Sequence, residues 1–63
     1  MSQKMKTIYL GILLNVKNNA YENNIELLKK DLLTLKKILL VQKNNQQMKN
    51  IEKNMQKVLT MAR

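Results

Sequence analysis

The chain has 63 residues, twelve Lys plus Arg against four Asp plus Glu, and a formal net charge of +8; His, Cys, Trp, Phe and Pro are all absent. A chain of this length has room for one small core, at the size where folding buries only about 60% of the surface of the unfolded chain. Without Cys or His there can be no disulfide framework, no thiolate metal site, no usual zinc ligand and no usual general base. The stabilising device left open is association, with a second copy or with another protein.

The first element is expected near residues 3–18. Met5, Ile8, Tyr9, Ile12, Leu13 and Val16 fall on one broad helical face, while Leu10 and Leu14 point elsewhere. One neighbour cannot cover both sets. The same stretch also suits a strand, because Thr7, Ile8, Tyr9, Ile12 and Val16 have high β propensity and Gly11 weakens a helix by about 1 kcal/mol relative to Ala. A helix is the expected state, since a lone strand would need a partner chain. Lys4 and Lys6 ahead of the apolar run from Ile8 to Leu14 also resemble the start of a secretory signal, but Asn18 and Ala20 make a poor cleavage site. An ordinary amphipathic helix is the expectation.

The second helix is expected near 24–43. Ile25, Leu28, Leu32, Leu35 and Leu39 alternate three and four apart, the spacing of a coiled-coil seam. Leu33 and Leu40 lie beyond one edge of it, and Leu27, Ile38 and Val41 lie on the far side. A helix apolar on several faces is one that several neighbours cover, so this is the expected central helix. Asn23 with Glu26 has capping-box spacing, and Asn44 with Gln47 repeats it.

Lys43-Asn44-Asn45-Gln46 is the expected turn, although no Gly or Pro enforces a stop there. The third helix, near 46–62, has the clearest pattern. Met48, Ile51, Met55, Val58, Leu59 and Ala62 form one narrow stripe, with Lys49, Asn50, Lys53, Asn54 and Lys57 opposite it. Leu28 to Leu39, then Lys43-Asn44-Asn45-Gln46, then Met48 to Ala62, 35 residues in all, resembles the helical hairpins of small type III secretion co-chaperones. The resemblance implies a hairpin that packs on a partner protein. It assigns no role to any residue.

Function is expected to be non-enzymatic. The only carboxylates are Glu22, Glu26, Asp31 and Glu52. Glu22 and Glu26 could share a helix face, but acids gather at helix starts for electrostatic reasons alone. A single glycine leaves no phosphate-binding loop. No cofactor, metal or small-molecule substrate is expected, and cysteine absence fits a reducing cytoplasm.

The candidate interface or core residues are Ile25, Leu28, Leu32, Leu35, Leu39, Met48, Ile51, Met55, Val58, Leu59 and Met61. Met61, off the stripe, is the best of these for an external contact, since methionine suits surfaces that accept partner helices. Tyr21 sits in the turn between the first two helices, where it either staples the turn or anchors a partner. Lys49, Lys53 and Lys57 form a basic ridge able to track nucleic-acid phosphates. A solvated face in a Lys-rich chain explains the ridge as well. The reading is an all-α bundle or αα-hairpin with an additional N-terminal helix, completed by a protein partner or by self-association. A basic nucleic-acid regulator is the alternative. No segment reaches the ~20 apolar residues of a membrane span, and no Trp or Phe is present to anchor a surface helix.

Overall fold

The computed structural model describes residues 1–62. Three helices form, α1 (Gln3–Lys17), α2 (Ile25–Val41) and α3 (Gln46–Met61), in an all-α arrangement. Each pair of helices is in contact, and the α2–α3 hairpin is the most extensive pairing.

Each helix begins at a short polar side chain that takes up an orphan amide of the first turn. Ser2 Oγ accepts from the Met5 N–H at 3.1 Å, Asn24 Oδ1 from Leu27 at 3.0 Å, and Asn45 Oδ1 from Met48 at 3.1 Å. The caps of α2 and α3 are therefore the second asparagine of each pair, not Asn23 and Asn44 as the capping-box spacing predicts. The third helical positions become Leu27 and Met48, and Met48 is fully buried. Neither side chain can return a bond to the cap, so both caps are one-sided.

The end of α1 has its own device. Asn19 adopts φ 53°, Asn19 N–H donates to the Val16 carbonyl at 3.2 Å, and Ala20 N–H donates to the Asn15 carbonyl at 3.0 Å. This pair of bonds is a Schellman motif, with asparagine in the left-handed position that glycine more often fills. The chain then crosses seven residues to α2. Between α2 and α3 the turn runs from 42 to 45, one residue earlier than expected, and Gln42 N–H still donates to the Ile38 carbonyl at 2.9 Å. The hairpin reading of residues 24–62 is the one observed, and residues 7–16 are helix, not strand.

The core holds Tyr9 and Ile12 from α1, Tyr21 from the first turn, Leu28, Leu32, Leu35 and Ile38 from α2, and Met48 and Met55 from α3. Met5, Leu13, Val16, Ile25, Leu27, Leu39, Ile51, Val58 and Leu59 pack around it, half-buried. α2 supplies the most core residues because its buried arc spans two neighbours. Two expected assignments shift. Ile38, placed beyond the seam, is buried in the core. Ile8, placed on the α1 face, is exposed at its edge.

Candidate functional site

Among the described residues the interior contains one polar assembly. Tyr21 is 3% exposed, and its hydroxyl donates to Asp31 Oδ2 at 2.7 Å. Asn15 Nδ2 donates to the same oxygen at 3.0 Å. A half-buried carboxylate is costly unless it accepts such bonds. Here it ties the end of α1, the first turn and the middle of α2 together. Burial, then the bond to Asp31, raises the Tyr21 pKa far above the ordinary tyrosine value. Tyr21 is thus the staple of its turn. The sequence carried one unused signal for this: Asp31 lies between Leu28 and Leu35 on the covered side of α2, where an acid needs partners.

Tyr9 contrasts with it. Its hydroxyl is buried with no hydrogen-bond partner among the described residues, and burial raises its pKa. With both tyrosines inside, the surface offers no aromatic ring on which a base could stack.

Glu22 and Glu26 do not share a helix face. Glu22 lies in the turn ahead of α2 while Glu26 lies in its first turn. Among the described residues, no three His, Cys, Asp or Glu side chains gather where they could hold a metal ion. No helix among them is long and apolar enough to cross a membrane.

The structure distributes the candidate interface residues as follows. Leu28, Leu32, Leu35, Met48 and Met55 are buried, and Ile25, Leu39, Ile51, Val58 and Leu59 are half-buried. All ten belong to the chain's own core or its margin. Met61 stands apart at 81% exposed. It rims a cleft of about 280 Å³ between the end of α3 and the first turn, which Val16, Tyr21, Met55 and Val58 also line.

The outward surfaces carry the remaining large apolar side chains. Leu10 and Leu14 lie one turn apart on α1, 56% and 59% exposed, and Leu33 and Leu40 lie one heptad apart on α2, 57% and 73% exposed. Val41 at the end of α2 is 64% exposed. Residue spacing sets the four leucines off their helices' main faces. It does not single them out as a site, because a second apolar stripe can equally belong to a second neighbour.

Every lysine is exposed. The ridge of Lys49, Lys53 and Lys57 divides between two depressions. Lys49 and Lys53 join Lys36 and Lys43 around an open groove between the end of α2 and the start of α3, with Leu39 and Leu40 among its lining residues. Lys57 lines the Met61 cleft instead. Residues four apart on a helix drift by about 40° per step, so the third lysine leaves the side the first two share.

Comparison of the chain with protein-family models, with curated protein sequences and with solved structures found no match.

Proposed function

We propose that this protein is a small, non-enzymatic helical interaction module, of adaptor, co-chaperone or inhibitor type, that packs outward apolar helix faces against another protein or a second copy of itself. The observation that carries this reading is the set of outward leucines on α1 and α2. A monomer of 7.4 kDa should expose about 4,200 Å², whereas this one exposes 4761 Å². The excess, about 560 Å², compares with the ~800 Å² each partner contributes to a standard interface. The elongated outline, 32 × 18 × 16 Å, presents that surface along helix faces.

Light scattering and analytical ultracentrifugation test the reading, with the protein alone and after incubation with host lysate. Self-association or a stable complex that weakens when Leu10, Leu14, Leu33 or Leu40 is made polar is the expected result. A well-folded monomer that retains no partner contradicts it.

A second reading, a basic nucleic-acid binder, draws on the exposed Lys49 and Lys53 beside Lys36 and Lys43. Such binding would track phosphates alone, because both tyrosines are buried and Arg63 is the only arginine in the sequence. It would weaken steeply from low to moderate salt. An apolar protein interface would change little over the same range.

A further inference from the structure

The outward face of α2 repeats the spacing of its inward seam with a different alphabet. Lys29, Leu33, Lys36, Leu40 and Lys43 are spaced four, three, four and three apart, the spacing that keeps residues along one side of a helix for a facing helix to meet. All five are exposed, and Lys43 lies in the turn just past the end of α2. Leu33 and Leu40 are separated by about 10.5 Å along the axis. At its far end this stripe opens into the groove that Lys49 and Lys53 close from α3. We infer that this stripe and groove form a docking surface for an acidic amphipathic helix of another protein, one that alternates apolar residues with Asp or Glu at the same three-four spacing. The inference rests on the interaction-module reading and adds the place and the partner's chemistry.

Charge complementarity chooses the occupant. Four lysines surround the groove against one acid, Glu52. The remaining polar rim includes Gln46 and Asn50, which hydrogen-bond each other at 3.1 Å. A second copy would bring the same lysines to the same place, and opposed like charges destabilise a helix interface. A helix carrying acids beside its apolar positions would cover Leu33 and Leu40 and pair with the lysines at once. The lysine stems can flank the leucines while their amines stay in water. Nucleic acid would satisfy the lysines but would gain nothing from covering two leucines.

The experiment uses the full chain and a labelled synthetic 21-residue helix with Leu and Glu alternating three and four apart, read by fluorescence anisotropy. Saturable one-to-one binding is expected. Changing Leu33→Gln and Leu40→Gln together should weaken it at least about tenfold, since each leucine loses an apolar contact. Lys36→Glu with Lys43→Glu should weaken it at least as much. Leu10→Gln with Leu14→Gln on α1 should leave it within about twofold, because those residues lie off the proposed contact. Circular dichroism on each variant shows that the helices persist.

Absence of saturable binding, or binding indifferent to Leu33 and Leu40, overturns the inference. So does a DNA duplex that binds at least as tightly as the peptide with no loss in the leucine variant, an outcome that assigns the lysines to nucleic acid. If the peptide fails while the protein still forms a complex that Leu10→Gln with Leu14→Gln destroys, the interaction-module reading survives and only this site falls. If neither event occurs and the chain stays a lone monomer, both fall.

Discussion

α2 carries two stripes with the same three-four alternation, and they meet opposite fates. Ile25, Leu28, Leu32, Leu35 and Leu39 turn inward, with Leu28 and Leu35 fully buried. Lys29, Leu33, Lys36 and Leu40, with Lys43 in the turn just past the helix, stay exposed, and Leu40 is 73% exposed. Spacing alone determines which residues share a side. Which side is buried depends on whether every position on it can leave water. A stripe that alternates with lysine cannot be covered by a neighbour lacking acids, because the ammonium groups must stay hydrated or paired. The two neighbours within this chain, α1 and α3, take the leucine-rich side, where the one acid, Asp31, is paired by Asn15 and Tyr21.

The contrast makes its largest forecast at Leu35. Leu35→Ala should cost about 2–5 kcal/mol, against a total stability of about 3–9 kcal/mol for a chain of this size. Urea unfolding followed by circular dichroism should show a large fall in midpoint, or no folded baseline at all. A small loss at Leu35 would mean that the inward seam is no better covered than the outward one.

Next in size is Tyr21→Phe, which removes the donor that Asp31 accepts and should cost about 2 kcal/mol, as a hydrogen bond to a charged group does. It should also change the response to alkali. The Tyr21 pKa is raised on folding, so its contribution is present in full below the ordinary tyrosine value of about 10. Above that pH the unfolded chain loses the phenolic proton first, and stability falls toward the higher folded value. A denaturation series above pH 10 should show a shallower decline in Tyr21→Phe than in the parent.

Two changes should raise stability by about 1 kcal/mol each. Tyr9→Phe removes a buried hydroxyl that has no partner. Gly11→Ala places a methyl on the exposed side of α1, where nothing lies within 4 Å, and recovers helix propensity. Each should lift the melting temperature by about 4–8 °C. A drop for Tyr9→Phe would reveal that its hydroxyl has an acceptor in solution. The smallest effect belongs to the outward stripe: Leu40→Gln should move the unfolding free energy by no more than about 0.5 kcal/mol. A loss comparable to that of Leu35→Ala would erase the distinction between the two faces.

Much of this fold was legible from residue spacing. The three helices, the Met48–Met55 stripe, the inward seam of α2 and the outward aim of Leu10 and Leu14 all follow from periodicity, which depends only on helical geometry. The asparagines ahead of α2 and α3 marked where those helices begin, within one residue. The choice of cap within each pair was not legible, because either asparagine of a pair has a side chain able to cap. The Tyr21–Asp31–Asn15 assembly was equally hidden, since its members are 10 and 16 residues apart and meet only when α1 folds back onto α2. The ridge of Lys49, Lys53 and Lys57 was visible as a row. Its division between two depressions depended on where α1 and α2 lie against α3.

By itself the sequence determined an all-helical chain without cysteine or histidine chemistry, with each helix's apolar and charged positions sorted by angle. Those properties are local, set by side-chain type and a 100° turn per residue. Tertiary structure decided the rest: that Ile38 joined the inward seam in the core, that both tyrosines went inside, and that lysines from α2 and α3 came to surround one leucine-lined groove. Such outcomes depend on helices competing for a limited interior, and no single helix contains that information.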